Sequence, residues 1–573
     1  MCSVIFQATN PRFTLVIIIF YSLSIGLATK ITYLMIFSHD FLSNEGRKRS
    51  TRLIETAPVR GTIFDRFNQP LAVSTPVSTL WVNPKQFSPT HQQVVLLNKY
   101  LAVDEVRIRT LASNPGGKSF AYLARRISPE VASRIIQLSI PGVYERQEHK
   151  RFYPQSSMLA QTLGFTNIDQ KGIEGIELLY NHQLSGIPGL EERTFNLHKR
   201  VTRENRVYKP VTPGRDVYLT IDSTLQYYVE KALIKGLEEH AAKSVSAILV
   251  HAKTGEILAL STVPSFNPNA RRSFDAKFIR NRVFADVYEP GSVIKPFSMA
   301  AVLTANVIDK NAIVKIAPGF VKINGYTIRD VGRDSQLDLA GIIRRSSNVG
   351  MSKVAIPTGG AVISRLLTDL GFGNNTAVYF PGESSGTVPV KRAWSDIATA
   401  SLSYGYSVSV NLAQLAQAYT VFANDGDLIP LSLIKGEAKL PRNVISPEVA
   451  NSVLDMMVNA VEGPGAGGKR AGIEGYSIAG KSGTSRKASS GGYKHNKYRA
   501  MFVGIAPANE PEFIMAVLVD EPTANGYFGG AVAAPIFKEV LENVLRIRNI
   551  PSDESETFPA VKKSLSAEPS GSV

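Results

Sequence analysis

An apolar run from Phe13 to Phe37 constrains this chain more than any other feature of its sequence. Apart from Lys30 and a few hydroxyl-bearing side chains, the run carries no polar group. Its length of about 25 residues is enough to cross a lipid bilayer with some tilt. Lys30 lies near one end, where its amine can extend to the membrane interface. We therefore expect residues 13–37 to be a transmembrane anchor, preceded by a short tail at 1–12.

A cleaved signal peptide is the competing interpretation of the same run. Gly26-Leu27-Ala28 supplies small residues suited to a signal peptidase. Against cleavage, residues 1–12 are weakly basic and the apolar run resumes at Ile31, so the sequence favours an uncleaved anchor. Basic residues at 47–52 would place the C-terminal side in the cytoplasm. Long C-terminal domains are translocated largely regardless of charge, so charge alone leaves the orientation open.

The composition describes a folded, basic protein with few means of binding a metal. The 573 residues are 44% hydrophobic and 20% charged, which suits two or three folded domains. The net charge of +16 favours anionic surroundings such as lipid headgroups or an acidic polymer, and no zinc-finger spacing or basic helix indicates nucleic acid. Cys2 is the only cysteine and the 8 histidines show no ligand spacing. We expect neither a metal nor another cofactor.

The stretch from Glu289 to Pro296 holds the strongest chemical signal. Ser292 and Lys295 stand three residues apart, directly after a Pro-Gly break, and the apolar residues up to Val302 predict a helix that begins near Ser292. Pro296 would fall in the first turn, where its missing N–H is harmless. Positions i and i+3 share one face of a helix, so the Lys295 amine should reach the Ser292 hydroxyl. A desolvated lysine can act as the base that activates such a serine.

Two further motifs follow downstream, and the Ser-x-x-Lys and Ser-x-Asn motifs each also occur in a second copy. Ser346-Ser347-Asn348 is a Ser-x-Asn motif, and Lys481-Ser482-Gly483-Thr484 is a Lys-Ser-Gly-Thr motif. A second Ser-x-x-Lys at residues 432–435 is interpreted as ordinary loop or strand sequence. A second Ser-x-Asn at residues 409–411 lies in a helix-forming stretch and is given another role.

Residues 38–220 form a separate region without an obvious catalytic constellation. Strand-like residues 80–82 alternate there with helix-like segments at Val95 to Val103 and Pro129 to Leu138. Its carboxylates Asp65, Glu174 and Glu177 stand in distinctive motifs, and we interpret them as ion-pairing or turn-capping groups, because isolated carboxylates seldom mark a site.

The pattern of elements changes near residue 221 and predicts a second folded region up to residue 549. A helix capped by Asp222 extends to about Ala242, and Ser246 to Val250 pairs with Glu256 to Thr262 in a hairpin. A mostly helical segment covers about 336–460, and the predicted closing elements are strands at Tyr476 to Thr484, Tyr498 to Ile505 and Glu512 to Val519, then a helix from Ala534 to about Arg548. This order predicts an α+β domain with an antiparallel sheet covered by helices. Residues 550–573 are rich in Ser, Pro and Glu and predict a disordered tail.

The three motifs in this order resemble those of the penicillin-recognising serine transferases, where they line one cleft. Residues 60–66, 151–154 and 172–177 are similar to the pedestal of class B penicillin-binding proteins, so the resemblance covers nearly the whole chain. Gly463 to Gly468 and Gly526 to Pro535 resemble the division-specific type. The resemblance implies a dimerisation-type pedestal at 38–220 and a transpeptidase domain at 221–549. It also implies a cytoplasmic tail at 1–12, with the bulk of the chain in the periplasm.

The resemblance also implies a mechanism and a set of roles. Ser292 would attack the carbonyl between two terminal D-alanines of a stem peptide, with Lys295 as base, and D-alanine would leave. Ser346 would relay a proton, Asn348 would bind the substrate amide, and the backbone N–H groups of Ser292 and Thr484 would stabilise the oxyanion. β-Lactams would acylate the same serine.

Strand alternation separates the groups of the third motif. If residues 481–484 form a strand, Lys481 points to one face and Ser482 and Thr484 to the other. Lys481 can then lie beside Ser346 and Lys295, where its charge would help to keep Lys295 neutral. The hydroxyls of Ser482 and Thr484, with Gly483 between them, can face the substrate carboxylate. Four more side chains are candidates for shaping the pocket: Arg486, Tyr498, Tyr527 and Phe528.

Other functions remain to be weighed against transpeptidation. A class A β-lactamase uses a Glu-x-x-Leu-Asn motif to deacylate, and no such string lies between Asn348 and Lys481. A D,D-carboxypeptidase differs only in its acceptor and stays open, as does a non-catalytic β-lactam sensor. His251, which stands where the family often has an acid, is interpreted as structural.

The resemblance places the protein in the bacterial inner membrane at the division septum. Residues 38–220 match a pedestal and not a glycosyltransferase, so cross-linking would depend on a separate glycan polymerase. The expected partners are a polytopic polymerase of the FtsW kind and other divisome membrane proteins, met through the anchor and the pedestal. Small residues four apart in the anchor, such as Ser22 and Gly26, could let a neighbouring helix approach closely.

Overall fold

A computed structural model of the chain describes residues 11–113, 116–195, 201–270, 275–437, 439–489 and 492–553. Most of the predicted cytoplasmic tail and of the predicted C-terminal tail therefore lies outside the described residues. The chain divides into two compact units, one formed by Met1–Val59 with Gly186–Gly214 and the other by Arg60–Ser185 with Arg215–Val573.

Short helices and strands alternate up to residue 218. The helices are α1 Pro11–Ile36, α2 His39–Ser50, α3 His91–Leu101, α4 Glu105–Ser113, α5 Pro129–Gln137, α6 Ala160–Leu163, α7 Gly175–Leu179 and α8 Asn181–Ser185. The strands are β1 Thr51–Thr56, β2 Ile63–Phe64, β3 Pro70–Val82, β4 Ala121–Ile127, β5 Val143–Phe152, β6 Gly189–Phe195, β7 Val201–Lys209 and β8 Val217–Tyr218.

The first unit joins an apolar helix to a small sheet. Helix α1 has 26 residues, a mean hydropathy of 1.9 in its most apolar window and no buried residue. By length and composition it can cross a membrane, and it covers almost the whole of the predicted anchor. It begins at Pro11, two residues before the predicted start, because proline suits the first turn of a helix. Strands β1, β6 and β7 form an antiparallel sheet in that order.

In the second unit, residues 60–185 build a sheet covered by helices on one face. Strand β3 pairs with β4 on one side and with β5 on the other. Leu80 and Val82 are fully buried in a cluster that also contains residues of α3 and α5. Helix α3 begins four residues before the predicted Val95, because Thr90 and Gln93 form a capping box. Helix α5 begins at the predicted Pro129 and ends one residue before the predicted Leu138.

Buried ion pairs hold this part of the unit together. The Glu177 carboxylate is fully buried and accepts hydrogen bonds from Arg60 Nε at 2.7 Å and Arg151 Nε at 2.6 Å. Asp65 accepts from two backbone N–H groups of its own turn and from Ser223 Oγ at 2.7 Å. Asp65 and Glu177 thus have the predicted structural roles. Glu174 precedes α7 without capping it, and burial raises the pKa of its carboxyl.

Helices dominate the C-terminal part, with one large sheet at its centre. The helices are α9 Ser223–Glu239, α10 Arg282–Ala285, α11 Lys295–Ala305, α12 Leu339–Arg344, α13 Asn348–Thr358, α14 Gly360–Asp369, α15 Asp396–Ser403, α16 Leu412–Ala423, α17 Pro447–Glu462 and α18 Gly529–Ile547. The 3₁₀ turns are Ala276–Phe278, Gly291–Ile294 and Lys469–Ala471. The strands are β9 Ser244–His251, β10 Ile257–Val263, β11 Val314–Lys315, β12 Phe320–Ile323, β13 Tyr326–Arg329, β14 Gln336–Leu337, β15 Asp427–Leu428, β16 Arg442–Asn443, β17 Ala479–Ser489, β18 Gly492–Ala506 and β19 Phe513–Asp520.

The large sheet is antiparallel, in the order β10-β9-β19-β18-β17, and is covered on both faces. On one face Phe502 and Met515 pack in a cluster with α9 and α18. On the other face Val503 and Ile514 pack in a cluster with α11 and α16. Every residue of β19 is buried, which explains its continuous apolar sequence. The predicted α+β architecture is confirmed, and β17 is one of the two edge strands of the sheet.

The predicted hairpin is confirmed as β9 and β10, whereas several other boundaries differ. Helix α9 ends at Glu239, three residues before the predicted Ala242. Strand β17 continues to Ser489 because it keeps pairing with β18 beyond Thr484. Helix α18 begins at Gly529 and not at Ala534, since Pro535 is accommodated inside the helix.

Candidate active site

The Ser292 stretch forms a tight turn that leads directly into a buried helix. Gly291 has a φ of +59°, a left-handed conformation that favours glycine, and its N–H donates to Gly405 O at 3.1 Å. Residues 291–294 then form a 3₁₀ turn, with the Lys295 N–H bonded to Ser292 O. The α-helix therefore begins at Lys295 and not near Ser292 as predicted, because the left-handed residue sets a tighter first turn. Pro296 occupies the first turn, as predicted.

Lys295 is completely buried, and its amine is directed at the Ser-x-Asn turn. Its Nζ donates to Ser346 O at 2.6 Å, to Asn348 Oδ1 at 2.8 Å and to Ser346 Oγ at 3.3 Å. Within the described part of the chain, its hydrogen bonds go to these atoms, and none goes to the Ser292 hydroxyl that the sequence predicts within its reach. The reason is that three acceptors already surround the amine.

The charge of Lys295 is strongly disfavoured. Burial lowers the pKa of its amine well below the usual range, and the neighbouring Lys481 lowers that pKa further, while Asp330 opposes the shift. The lowered pKa favours the neutral form of the amine, whose lone pair can accept a proton.

Ser346 lies at the junction of α12 and α13 in an unusual backbone conformation. Its φ of +57° is rare for a residue with a side chain. Ser347 caps α13, and Asp330 accepts hydrogen bonds from Ser347 Oγ at 2.5 Å and Asn348 N at 2.6 Å. Sequence analysis missed Asp330, because nothing in the primary sequence links this loop residue to a helix that begins 18 positions later.

Lys481 enters the same cluster from β17. Its Nζ donates to Ser346 Oγ at 3.0 Å and to Ser482 O at 3.0 Å, and its side chain is 2% exposed. Burial lowers the pKa of this amine to about 7. Lys481 pairs with Val503, whose side chain lies on the α11 face of the sheet, so Lys481 points to Lys295 and Ser346 as strand alternation predicted.

The Ser482 and Thr484 side chains lie on the opposite face of β17, towards α18. Thr484 Oγ1 accepts a hydrogen bond from Gly529 N at 3.0 Å. A Cβ atom at Gly529 would lie 2.3 Å from Gly483 O, so only glycine allows the helix to start this close to the strand. The start of α18 therefore fixes the Thr484 hydroxyl.

The backbone of β17 lies against the Ser292 turn. The position that a Cβ would occupy at Gly291 lies 3.3 Å from Thr484 O, and Ser482 O accepts from Lys481 Nζ. The carbonyls of residues 482 and 484 hence point away from β18. In an antiparallel pair the N–H and C=O of one residue point to the same side, so the Thr484 N–H also faces the turn.

The remaining pocket candidates gather where β17 leaves the cleft. Tyr498 and Tyr527 stack with ring centroids 4.2 Å apart, and Tyr527 stacks on Phe528 at 4.5 Å. Arg486 is exposed and pairs in register with Tyr498. These residues form an aromatic wall with a cation beside it.

The duplicate motifs lie elsewhere and have structural roles. Lys435 is exposed and its Nζ donates to Arg66 O at 2.8 Å, while Ser432 Oγ donates to Ile434 O. Asn411 forms a capping box with Gln414 at the start of α16. His251 ends β9 at 3.3 Å from the Glu512 carboxylate. Among the described residues, no group of three or more His, Cys, Asp or Glu side chains is placed to hold a metal.

A half-buried serine on a buried turn, beside two buried lysines that share a second serine, has the arrangement of a serine acyltransferase of the penicillin-recognising class. Family models agree with this class. Residues 245–542 match the penicillin-binding protein transpeptidase domain, and residues 55–219 match the penicillin-binding protein dimerisation domain.

Two named relatives match this chain over almost its full length. The chain is 44% identical over 557 residues to the probable peptidoglycan D,D-transpeptidase PbpC of Pseudomonas aeruginosa, covering 97% of this chain and 98% of that protein. It is 37% identical over 543 residues to the peptidoglycan D,D-transpeptidase FtsI of Escherichia coli, covering 93% of this chain and 91% of that protein. The chain belongs to the family of penicillin-binding peptidoglycan D,D-transpeptidases.

Solved structures support the fold. Penicillin-binding protein 3 of Mycobacterium tuberculosis, complexed with aztreonam, matches with a TM-score of 0.68 and 25% identity, covering 87% of this chain and 98% of that one. The transpeptidase domain of Burkholderia pseudomallei penicillin-binding protein 3 matches with a TM-score of 0.54 and 37% identity, covering 58% of this chain and 97% of that one.

Proposed function

We propose that this protein cross-links peptidoglycan stem peptides through an acyl-enzyme on Ser292. The observation that carries the proposal is the buried Lys295–Ser346–Lys481 cluster beside the Ser292 turn. Ser292 Oγ attacks the carbonyl of the penultimate D-alanine and loses its proton, and the carbon–nitrogen bond to the terminal D-alanine breaks. An amine of a second stem peptide then attacks the ester and releases Ser292, which forms the cross-link.

Lys295 acts as the base in this scheme, because burial lowers the pKa of its amine and so favours the neutral form. The amine is held by acceptor atoms of Ser346 and Asn348, so a small rotation of its terminal bond is needed to direct the lone pair at Ser292. Ser346 Oγ lies within hydrogen-bond distance of both lysine amines and carries the proton to the leaving nitrogen. Lys481 favours the neutral form of Lys295 by charge repulsion.

The oxyanion is stabilised by the backbone N–H groups of Ser292 and Thr484. The support is the orientation of the Thr484 backbone towards the Ser292 turn. Preorganised N–H donors of this kind typically contribute about 10²–10³-fold in rate.

The other pocket residues bind the substrate. Asn348 offers its amide to the peptide while its Oδ1 stays on Lys295. Ser482 and Thr484 bind the terminal carboxylate, with Gly483 between them. The Tyr498, Tyr527 and Phe528 wall packs on the apolar part of the stem peptide, and Arg486 faces its acidic groups.

The proposed place of action is the division septum, with the catalytic region in the periplasm. The support is the FtsI name of the E. coli relative and the resemblance of Gly526 to Pro535 to the division-specific type. The proposed boundaries are a cytoplasmic tail at 1–12, an anchor at 13–37, a pedestal at 38–220, a transpeptidase domain at 221–549 and a tail at 550–573. An FtsW-type polymerase and other divisome membrane proteins are the proposed partners, because residues 38–220 resemble a pedestal and not a glycosyltransferase.

Mass spectrometry of the purified protein with a β-lactam tests the acyl-enzyme. Peptide mapping should place one covalent adduct on Ser292, and the Ser292→Ala variant should carry none. Ser432→Ala is the matched control, since Ser432 begins the duplicate motif, and it should keep the adduct. An adduct on Ser432, or none in the wild type, would overturn the assignment.

Product analysis separates the alternatives. With a donor and an acceptor stem peptide, a transpeptidase yields a cross-linked dimer and D-alanine in equal amounts. D-alanine without dimer would indicate a D,D-carboxypeptidase, and stable acylation without any product would indicate a sensor. For the partner, an unrelated span in place of residues 13–37, or substitutions on the exposed pedestal surface, should reduce co-purification with the polymerase. Full binding and normal division in both variants would contradict the partnership.

A further inference from the structure

We propose that Asp330 is a positioning residue, which holds the Ser-x-Asn turn in place and supplies the negative charge that balances Lys481 across Lys295. The inference rests on the proposed function, because it assigns a further residue to the same site. Asp330 lies outside the three motifs, in the loop that follows β13.

The geometry shows how one carboxylate fixes the turn. Asp330 Oδ1 accepts hydrogen bonds from Asn348 N at 2.6 Å and Val349 N at 2.9 Å, which are the first two N–H groups of α13. Asp330 Oδ2 accepts from Ser347 Oγ at 2.5 Å, and Ser347 Oγ in turn accepts from Gly350 N at 2.8 Å. Asp330 and Ser347 together satisfy three of the N–H groups that a helix start leaves unpaired.

The turn that Asp330 holds also places the hydrogen-bond acceptors around the proposed base, Lys295. The turn that Asp330 holds contains Ser346 in its left-handed conformation, and Ser346 and Asn348 supply all three acceptors of the Lys295 amine. A strained conformation of this kind persists only where its surroundings hold it. Asp330 is therefore part of what keeps the acceptors around Lys295.

Charge gives Asp330 a second effect on the base. The charged groups that act on the Lys295 amine are Lys481 from β17 and Asp330 from the loop. The charged side chain of α13, Lys353, is exposed and donates to Lys315 O. Lys481 disfavours the protonated amine and Asp330 favours it. The two residues hence shift the protonation of the base in opposite directions.

The test is the pH dependence of acylation by a chromogenic β-lactam, measured on the full-length protein. The acid limb of the profile reports protonation of the coupled lysines. Asp330→Asn keeps the side-chain shape and one acceptor oxygen for Asn348 N and Val349 N, replaces the acceptor of Ser347 Oγ by an NH2 group and removes the charge. The limb should therefore move to lower pH by about one unit. Lys481→Ala should move it to higher pH. Asp334→Asn, a neighbouring carboxylate that pairs with Arg345, is the matched control and should leave the limb in place.

A second variant separates charge from positioning. Asp330→Ala removes the hydrogen bonds as well, so it should show the same shift and a lower rate than Asp330→Asn at every pH. Thermal unfolding of each variant verifies that it is folded. An unshifted or upward-shifted limb in a folded Asp330→Asn variant would overturn the inference, while normal adduct formation on Ser292 in the wild type would leave the proposed function intact.

Discussion

The pedestal and the cleft each bury a cluster of ionisable side chains, and the two clusters differ in the partners that surround the buried groups. In the pedestal the Glu177 carboxylate lies between Arg60 and Arg151, with contacts of 2.7 and 2.6 Å. In the cleft two lysines, Lys295 and Lys481, share the neutral acceptor Ser346 Oγ. Opposite charges meet in the first cluster and like charges meet in the second.

The difference separates structural charge from functional charge. A buried ion pair stays ionised because each partner replaces the water that the other has lost. Two buried lysines that contact no carboxylate among the described residues hold their protons less firmly, because burial lowers the pKa of both amines. A cluster that is poised to give up a proton suits catalysis, whereas a paired cluster suits rigidity.

The largest effect is expected from Lys295→Met, which removes the base and keeps most of the side-chain volume. Acylation by a chromogenic β-lactam should fall by about 10²–10⁴-fold, the usual contribution of a general base. The free energy of unfolding should change little, because the loss of the hydrogen bonds to Ser346 and Asn348 is offset by the removal of a buried ionisable amine. Stopped-flow acylation and thermal unfolding measure the two effects. A variant within about tenfold of the wild-type rate would contradict the base role.

Glu177→Gln should lower the stability of the fold and leave the acylation rate unchanged. Without the carboxylate, Arg60 and Arg151 become two buried cations with no counter-charge, which should lower the free energy of unfolding by about 3–5 kcal/mol. The acylation rate of the folded fraction should stay near the wild-type value, because the substitution leaves the cleft intact. Denaturant unfolding and acylation of the same preparation test both. A large loss of rate in folded protein would show that the two clusters are not independent.

A smaller effect is expected at Glu230, a buried carboxylate with no partner. Its Oε2 accepts no hydrogen bond among the described residues, and burial raises the pKa of this group to about 7. A raised pKa stabilises the fold below the unfolded value near 4.5, and this stability is lost as the pH rises to about 7. Glu230→Gln should therefore be nearly neutral at pH 4.5 and stabilising by about 2–3 kcal/mol at pH 8. Melting curves at the two pH values, compared with those of Glu239→Gln on the exposed end of α9, measure the difference. Equal effects at both pH values would contradict the raised pKa.

Much of the fold and of the site could be predicted from sequence, because local patterns decide it. Continuous apolar runs predicted the buried strands, and strand alternation placed Lys481 on the same face as α11. The Pro-Gly break located the turn before Ser292. Capping side chains and glycines account for most of the boundary errors, since α18 begins at Gly529 only because glycine permits its contact with β17.

The contacts that could not be predicted are the long-range ones. The helix pattern predicted the Lys295 amine within reach of the Ser292 hydroxyl but did not predict its hydrogen bonds to Ser346 and Asn348, more than 50 residues away. Asp330 acts on a helix from a separate loop, and its sequence context resembles that of any loop aspartate. Such contacts depend on the tertiary packing of helices and strands, and the periodicity of a single segment does not reveal which other segment it packs against.

Because β17 lies at the edge of its sheet, its main chain can take part in the recognition of a peptide in the cleft. An edge strand offers main-chain groups that have no strand partner on one side. A peptide that lies along Ser482 to Thr484 would bind as a sixth strand, and main-chain hydrogen bonds would then supply most of its affinity. Recognition of this kind tolerates variation in side chains and discriminates by the stereochemistry of the backbone. A peptide bound in this way would be recognised mainly through its main chain, so its side chains could differ without the loss of these hydrogen bonds.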